Sequence, residues 1–560
     1  MHTFRVLGGI VLLSLLSACA QTRGPVYDTI ISGGTVIDGS GNEAFIADVG
    51  IKDDRIAAIG DLDGAVTAER VDASGLVVAP GFVNMLSWAT DSLIADGRGM
   101  SDIKQGVTLE VFGEGVSYGP LTERSRDLIV SFQGDYKYDV TWTSLGDYLE
   151  FLVDRGVSPN VASFIGATTV RVNHIGLDDR APTPEELAAM QEDVRAAMRE
   201  GALGVGSSLI YAPAFYADTN ELIALNQAAA EYGGMYISHM RSEGNRLLES
   251  VDELITIARE AGVPAEIYHL KAAGEENWGK MPEVIAKVEA ARAEGLRITA
   301  DMYTYIAGAT GLDAAMPPWV QEGGYQAWAE RLADPDTRAR VIEEMKSNPD
   351  DWENLYYGAG AEGMILVGFD NPDLRHLTGK TLAEVATMRG KSPEETAIEL
   401  VIEDGSRVGT IYFLMTEDNM RLKIAQPWVS FGSDAGALAP EGTFLSYSPH
   451  PRAYGTFARL LGKYVREEQV ISLPEAVRRL TSQPADNLSI RDRGRLDQGY
   501  YADIVVFDPE EIADQATFEQ PHQYALGMHH VWINGQQVLD HGEHTGALPG
   551  RVVRGPGYQP

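Results

Sequence analysis

The middle of this chain alternates short apolar runs with helical patterns, and this alternation restricts the fold more than any other feature. Between several of the runs lie amphipathic segments such as "TPEELAAMQEDVRAAMREG", which has a threonine to cap the helix and a proline in its first turn. Strands that alternate with helices indicate βα units and a parallel sheet. The sequence therefore predicts an α/β fold, a TIM-like (β/α)8 barrel. The runs are "GVTLEVFGEG", "NVASFIGA", "GALGVGSSLIY", "GGMYISHM", "GVPAEIYHL", "LRITADMYTY", "GTIYFLM" and "WVSFGSDA".

Both ends of the chain carry alternating apolar residues and glycine-rich turns, which predict short strands. Examples are "YDTIISGGTVID" near the start and "GRLDQGYYADIVVFD" near the end. We therefore expect a small β-sandwich domain built from residues 27–79 and 486–557, flanking a barrel over 80–485. Residues 308–356 interrupt the barrel rhythm with charged helical sequence. They are predicted to form an insertion above the barrel, where they would serve as a lid.

Charge and length limit the function classes. The 560 residues suffice for a large barrel and a satellite domain. The formal net charge of −36 creates a field that repels nucleic acid and anionic membrane surfaces, so no nucleic-acid partner is expected. An anionic substrate would need a local cationic pocket. No sequence feature predicts an oligomeric state.

The N-terminus has the pattern of an export signal. Arg5 precedes the apolar run "GGIVLLSLLSA", which is too short to span a bilayer, and the run ends in "LSAC". This ending resembles the lipobox of bacterial lipoproteins and predicts a signal peptide over 1–19 with lipid attachment at Cys19. Ala20 at the next position favours the outer membrane, facing the periplasm, with membrane contact only through the anchor. The alternative is an ordinary secretory signal in which the chain's single cysteine occurs by chance.

Three of the predicted strands end in residues that suit metal-dependent hydrolysis. These are His239, His269 and Asp434. The two histidines are separated by about one βα unit, so they should lie on neighbouring strands. Two imidazoles that face a common point suit Zn²⁺, and a carboxylate across the barrel mouth suits a base for a metal-bound water. The alternative for each residue is an ordinary polar side chain at the barrel rim.

Several motifs in order resemble the N-acyl-D-amino-acid deacylases, or D-aminoacylases, of the amidohydrolase superfamily. The motifs are "APGF", "GVTLEVFGEG", "ISHMRSEG", "HLKAAG", "GSD", "HPRAYGTFARLLG" and "GYYADIVVFDP", and the resemblance extends over 27–557. It implies a metal-dependent barrel with a small β-sandwich.

The resemblance also implies roles for particular residues. His239 and His269 would be metal ligands, and Asp434 would be the catalytic acid and base. Lys271 and Arg452 would hold the substrate carboxylate, and Tyr303 would contact the substrate. An arginine fork with a lysine suits a free carboxylate. The alternatives are a rim lysine at 271 and a capping or packing arginine at 452.

The chain departs from the family at two places. The paired histidines at the end of the first strand are replaced by Leu86 and Trp88, and the family's cysteine ligand aligns with Gly115. A small change of register brings Glu114 to that place, and two histidines with one carboxylate are a common catalytic zinc set. Glu114 is therefore the predicted third ligand, and one zinc per chain is expected. The alternative is that Glu114 pairs with a lysine or arginine in a loop.

These observations predict a metal-dependent amidohydrolase that cleaves the N-acyl amide bond of N-acyl-D-amino acids or related small acylated amines. A small-molecule N-acyl amino acid would be its partner. Within the same superfamily, a cyclic amidase or a dipeptidase is the alternative. Outside the enzyme class, the alternative is a non-catalytic binding lipoprotein of the cell envelope that has lost its metal.

Overall fold

A computed structural model describes residues 26–560, so the predicted signal peptide and Cys19 lie outside the described part of the chain. Within the described part, no helix is both long and apolar enough to cross a bilayer. The strands are β1 Tyr27–Val36, β2 Phe45–Lys52, β3 Arg55–Gly60, β4 Thr67–Asp72, β5 Val77–Pro80, β6 Phe82–Asn84, β7 Val107–Phe112, β8 Asn160–Ser163, β9 Ile165–Gly166, β10 Gly204–Ser208, β11 Met235–His239, β12 Ala265–Ile267, β13 Ile298–Met302, β14 Ala307–Gly311, β15 Met364–Gly368, β16 Gly409–Phe413, β17 Val429–Phe431, β18 Ile504–Phe507, β19 Met528–Ile533, β20 Gln536–Asp540 and β21 Glu543–His544.

The α-helices follow many of the strands, as expected for an α/β protein. The predicted helix in "TPEELAAMQEDVRAAMREG" is confirmed as α6, with Thr183 as its cap and Glu186 completing a capping box. The helices are α1 Ala89–Ala95, α2 Met100–Ile103, α3 Glu123–Phe132, α4 Leu145–Arg155, α5 Ala167–His174, α6 Pro184–Arg199, α7 Thr219–Ala230, α8 Leu247–Ala261, α9 Met281–Ala293, α10 Tyr325–Ala333, α11 Pro335–Met345, α12 Leu355–Ala359, α13 Leu382–Arg389, α14 Pro393–Asp404, α15 Glu417–Ile424, α16 Arg452–Arg459, α17 Leu473–Leu480 and α18 Ser482–Asn487.

Strands from both ends of the chain form one nine-stranded sheet. Its order is β21-β20-β19-β18-β5-β1-β2-β3, and β4 pairs with β1. The two ends meet where β18 runs antiparallel to β5, with Ile504 opposite Pro80 and Phe507 opposite Val77. Apolar side chains from both ends bury a common core against this sheet, among them Ile31, Ile504 and Trp532.

The middle of the chain builds two parallel sheets. One has the order β17-β13-β12-β11-β10-β9, and the other has the order β6-β7-β8. Strands such as β7 and β11 are buried at every position, as is usual for parallel strands covered on both faces. Backbone hydrogen bonds join the two sheets at both edges, from Met85 N–H to the Phe431 carbonyl and from Leu203 N–H to the Ser163 carbonyl.

A long excursion separates β13 from β17. It contains the three-stranded antiparallel sheet β14-β16-β15 together with helices α10 to α15. The excursion extends well beyond the predicted insertion at 308–356. The run "GTIYFLM" was wrongly predicted to be a parallel strand, because it is β16, which pairs antiparallel with both β14 and β15. A short apolar run looks the same in a parallel and in an antiparallel sheet, so its pattern does not distinguish the two.

Candidate metal centre and active site

Three predicted ligand residues come together at the carboxyl ends of the parallel strands. Glu114 lies two residues beyond β7, His239 is the last residue of β11, and His269 lies two residues beyond β12. All three side chains are buried, with exposed fractions of 5%, 5% and 3%. Residues at this end of parallel strands point into a common cavity, which is where barrel enzymes place their chemistry.

The donor atoms of these residues face one another. Glu114 Oε1 lies 3.0 Å from His239 Nδ1 and 3.1 Å from His269 Nε2. The three ligand atoms all lie within 4.8 Å of one another. One carboxylate oxygen and two imidazole nitrogens suit a divalent cation such as Zn²⁺ and leave a position open for water or substrate. The residues present therefore fit a metal ion at this place.

Glu243, which the sequence analysis missed, lies on the outer side of both histidines. Its carboxylate oxygens lie 3.1 Å from His269 Nδ1 and 3.4 Å from His239 Nε2. A carboxylate beside the outer nitrogen of a histidine fixes the orientation of the ring. His239 Nδ1 and His269 Nε2 are therefore the nitrogens that face Glu114. The available signal was the position of Glu243, four residues after His239 in "SHMRSEG".

Lys271 neutralises part of this acidic cluster. Its Nζ lies 2.8 Å from both carboxylate oxygens of Glu243 and 2.7 Å from His269 Nδ1. Burial opposes ionisation of Glu243, but the positive charge of Lys271 and of the histidines lowers its pKa well below the usual range. Burial also opposes ionisation of Glu114, and the charge and hydrogen bonds of His269 and His239 likewise hold its pKa low. Both glutamates are therefore carboxylates, as metal binding requires.

The two departures from the family motif occupy different environments. Leu86 is fully buried and packs in the core beneath the site, whereas 38% of Trp88 is exposed. The indole N–H of Trp88 donates to Glu114 Oε2 at 2.9 Å. Trp88 therefore does more than fill space with apolar bulk, since it holds the third donor residue. Glu110 lies deeper, where it accepts a hydrogen bond from Asn84, away from the histidines.

Asp434, Arg452 and Tyr303 form the opposite side of the site. Arg452 Nη1 lies 2.7 Å from Asp434 Oδ2, and the guanidinium carbon lies 4.6 Å from the centre of the Tyr303 ring. Burial raises the pKa of Asp434, although the neighbouring Arg452 opposes this shift. The Tyr303 hydroxyl is buried without a hydrogen-bond partner. A buried hydroxyl without a partner is costly, so it is available to a substrate group.

Two of the site residues have left-handed backbone conformations. His269 has φ of 35° and Asp434 has φ of 51°. Such values are uncommon outside glycine, and they are tolerated best by asparagine and aspartate. The conformation at His269 is supported by its N–H, which donates to Asp301 Oδ1 at 2.7 Å. Backbone strain of this kind persists where the surrounding structure fixes a functional side chain.

A large cavity brings these groups to one surface. Its volume is 1300 Å³, and its lining includes all seven predicted site residues, which are Glu114, His239, His269, Lys271, Tyr303, Asp434 and Arg452. The cavity also contacts Glu353 from the excursion, whose carboxylate accepts a hydrogen bond from the Glu243 N–H. The cationic groups predicted for an anionic substrate are thus present beside the donor cluster.

Comparison with known proteins identifies the family of this chain. The sequence profile of the amidohydrolase family matches residues 69–539. The chain belongs to the amidohydrolase family. It is 34% identical to D-aminoacylase of Alcaligenes xylosoxydans xylosoxydans over 95% of this chain and 99% of that protein. It is 32% identical to N-acyl-D-aspartate deacylase of the same organism over 94% of this chain and 95% of that protein.

Solved amidohydrolases share the fold. A crystal structure of D-aminoacylase matches 94% of this chain and 100% of its own, with a TM-score of 0.78 and 33% identity. N-acyl-D-glutamate deacylase from Bordetella bronchiseptica, solved with zinc and a phosphonate inhibitor, gives a TM-score of 0.77 and 30% identity over 95% of this chain and 100% of its own. A D-hydantoinase matches at a TM-score of 0.52 and 15% identity, which shows a common fold alone.

Proposed function

We propose that this amidohydrolase removes the acyl group from N-acyl-D-amino acids by hydrolysing their linear amide bond. The observation that carries the proposal is a cationic cluster beside the metal donors, formed by Lys271, Tyr303 and Arg452 and called here the carboxylate-binding cluster. It provides a lysine, an arginine and an unpartnered hydroxyl for a free α-carboxylate. D-aminoacylase and N-acyl-D-aspartate deacylase are 34% and 32% identical to this chain, whereas the D-hydantoinase is 15% identical.

We infer that Glu114, His239 and His269 hold one zinc ion. Leu86 and Trp88 leave no imidazole pair for a second ion, and two histidines with one carboxylate are a sufficient set for a catalytic metal. The zinc in the related N-acyl-D-glutamate deacylase supports the choice of metal. A zinc ion in this position would polarise the amide carbonyl and lower the pKa of a bound water.

The protein's own residues would perform the proton transfers and the positioning. Asp434 would accept a proton from the attacking water and return it to the amine nitrogen when the C–N bond breaks, leaving a carboxylic acid and a free amino acid. Arg452, which lies against Asp434, would bind the substrate carboxylate together with Lys271 and Tyr303. Holding the carboxylate fixes the amide carbonyl relative to the water, which lowers the entropic cost of the reaction.

The test of this function is Asp434→Asn in the zinc-loaded protein, assayed on a panel of N-acetyl-D- and N-acetyl-L-amino acids. Asparagine tolerates the left-handed backbone at 434, so the fold should persist. Removing a general base lowers kcat by about 10²–10⁴-fold. Arg452 loses its charged partner in this variant, so melting temperature and zinc content must be measured alongside.

Two results would contradict the proposal. If Asp434→Asn hydrolyses N-acyl-D-amino acids as fast as the wild type, Asp434 is not the base. If the wild type binds zinc but hydrolyses no acylated amine of either configuration, the binding-lipoprotein alternative is favoured.

We also propose that the two parallel sheets constitute one closed eight-stranded barrel, with residues 307–413 as its insertion, where β8 and β9, which only Phe164 separates, count as one strand. The support is the hydrogen bonding between the sheets at both edges, including the parallel bridge from Ser87 to Ala435. A closed barrel would explain why Glu114 after β7, His239 at the end of β11 and Asp434 after β17 all lie around one opening of the barrel.

We further propose that the protein is a lipoprotein of the cell envelope, anchored through Cys19 to the outer membrane and facing the periplasm. The support is the "LSAC" sequence after a short apolar run. Metabolic labelling with a fatty-acid analogue should label the wild type in its native host and should not label Cys19→Ser. Equal labelling of both proteins, or labelling of neither, would contradict the anchor.

A further inference from the structure

A second arginine faces the cavity on the other side of the metal donors. The guanidinium carbon of Arg407 lies 5.2 Å from the centre of the Tyr211 ring, and that ring meets the His239 ring edge-on at 5.5 Å. Arg407 Nη2 donates to Thr310 Oγ1 at 3.0 Å. The Arg407 side chain is 43% exposed, and it lines the cavity, so N–H groups remain available to a ligand.

Arg407 is paired with a buried acid. Its Nε lies 2.9 Å from Asp313 Oδ1, and the Asp313 side chain is only 8% exposed. Asp313 also lines the cavity. This part of the wall therefore presents one positive and one negative group next to each other, with no net charge. The carboxylate-binding cluster also sets cations beside carboxylates, since Lys271 contacts Glu243 and Arg452 contacts Asp434, but it adds the unpartnered hydroxyl of Tyr303.

Both Arg452 and Arg407 contact strand β14. Arg452 Nη2 donates to the carbonyl oxygen of Ala309 at 3.4 Å, and Arg407 donates to the side chain of the next residue, Thr310. A strand advances about 3.3 Å per residue. Arg452 and Arg407 thus contact adjacent residues of one strand, and both arginines line the same cavity as Asp313.

We propose that Arg407 and Asp313 form the subsite for the substrate side chain, and that this subsite selects a neutral carboxamide, as in N-acyl-D-glutamine or N-acyl-D-asparagine. The inference rests on the proposed function. A carboxamide has a carbonyl oxygen that accepts from Arg407 and an NH₂ group that donates to Asp313. An acidic side chain meets repulsion from Asp313, and an aliphatic side chain removes water from both groups without replacing its hydrogen bonds.

The experiment measures kcat/KM of the zinc-loaded protein for N-acetyl-D-glutamine, N-acetyl-D-glutamate and N-acetyl-D-methionine, three side chains of similar length. We expect the wild type to favour glutamine over each of the other two by about tenfold or more, since a charge-assisted hydrogen bond contributes at least that factor. Asp313→Asn should shift the glutamine-to-glutamate ratio about tenfold toward glutamate. Arg407→Met should lower the glutamine-to-methionine ratio by a similar factor.

The matched control is Arg124→Met, which removes an arginine that lines the same cavity from α3. It should leave both ratios within about twofold of wild type, because a single remote surface charge is largely screened. Melting temperatures of all variants identify a loss of folding, and a purely structural role would lower kcat/KM for the three substrates equally.

The subsite is overturned if the wild type prefers glutamate or methionine to glutamine, a result that needs no variant to fold. It is also overturned if Arg407→Met and Asp313→Asn leave the ratios unchanged while the substrates are still hydrolysed. Absence of hydrolysis for every N-acyl-D-amino acid is a different result, because it overturns the proposed function together with the subsite.

Discussion

The indole of Trp88 occupies one oxygen of Glu114, so the other oxygen is the one that faces His239 and His269. A free carboxylate can rotate and present either oxygen, and a hydrogen bond to one oxygen removes that freedom. In place of a histidine of the family motif, the chain thus has a residue that orients the side chain of Glu114, the candidate third ligand. Partners of this kind influence metal affinity without touching the metal.

Trp88→Phe should therefore weaken zinc binding. The phenyl ring keeps the apolar bulk but has no N–H for Glu114 Oε2, and loss of such a partner costs about 10–100-fold in affinity. Competition with a chromophoric chelator measures the Kd. Trp319→Phe is the control, because the Trp319 N–H donates to Glu344 in the excursion. An unchanged Kd in Trp88→Phe would show that this hydrogen bond does not orient Glu114.

Several site residues were predictable from sequence because they end apolar runs. His239 is the last residue of a buried strand, His269 and Asp434 lie just beyond buried strands, and the position of Glu114 could be inferred from the register of β7. The contacts between distant residues were not predictable in this way. Glu243 contacts His269 and Lys271 only because β11 and β12 are neighbours. Arg407 contacts Asp313 only because the antiparallel pairing of β14 with β16 brings the end of one strand to the start of the other.

Among the elements, β7 and the turn that follows it carry two acids with opposite surroundings. Glu114, two residues beyond the strand, is surrounded by histidines. Glu110, within the strand, is fully buried and shares the amide of Asn84 with the equally buried Asp102. Burial raises the pKa of Glu110 to about 7. The hydrogen-bond partners Asn84 and Ser101 are neutral, so no cation offsets the cost of ionising both acids.

This element predicts a pH dependence of stability. Since the pKa of Glu110 is near 4.5 when unfolded and about 7 when folded, the native protein retains a proton that the unfolded chain releases. The stabilisation is complete below pH 4.5 and is lost as the pH rises to 7, by about 3 kcal/mol. Glu110→Gln cannot ionise, so its melting temperature relative to wild type should rise between about pH 5 and pH 8.

The control for that measurement is Glu362→Gln, which alters an exposed acid outside the core. Its melting temperature should follow the wild type at every pH. If the melting temperatures of Glu110→Gln and wild type change with pH in the same way, Glu110 does not retain a proton in the folded protein.

At the scale of elements, the sequence predicted which segments are helices or strands in most cases, but it did not predict with which neighbour every strand pairs. The period of apolar residues predicted α6 and the strands that carry the donors. It did not distinguish β16 from a parallel strand, because five apolar or small residues fit either pairing. The extent of the excursion depends on that pairing, so its end could not be placed from local pattern.

For the molecule as a whole, zinc should contribute to stability. The buried cluster holds two carboxylates against one lysine, and a ligand that binds only the folded state adds about 2.7 kcal/mol at a concentration of 100 Kd. Removal of metal with a chelator should therefore lower the melting temperature by several degrees, and zinc should restore it. Elemental analysis should find about one zinc per chain, and two would contradict the single site.

The net negative charge of the chain repels an anionic substrate, whereas the cations that face the cavity attract it. The chain carries a net charge of −36, yet Lys271, Arg407 and Arg452 face the cavity. The sequence predicted the need for such a local cationic region. From the similar alternating texture of the two ends it predicted a small β-sandwich built from both, and in the structure the strands of both ends lie in one nine-stranded sheet.

The pairing of β18 with β5 also determines when during synthesis the sheet can be completed. One edge of β5 has its partner in the last quarter of the chain, so this edge of the sheet that begins at Tyr27 stays unpaired until Phe507 has been made. At about 5–20 residues per second, that wait is roughly half a minute to more than a minute. During this interval an open apolar strand edge is exposed to other chains. Production of the protein should consequently depend on holding chaperones, and shortened transcripts that end before residue 504 should yield aggregates in place of active fragments.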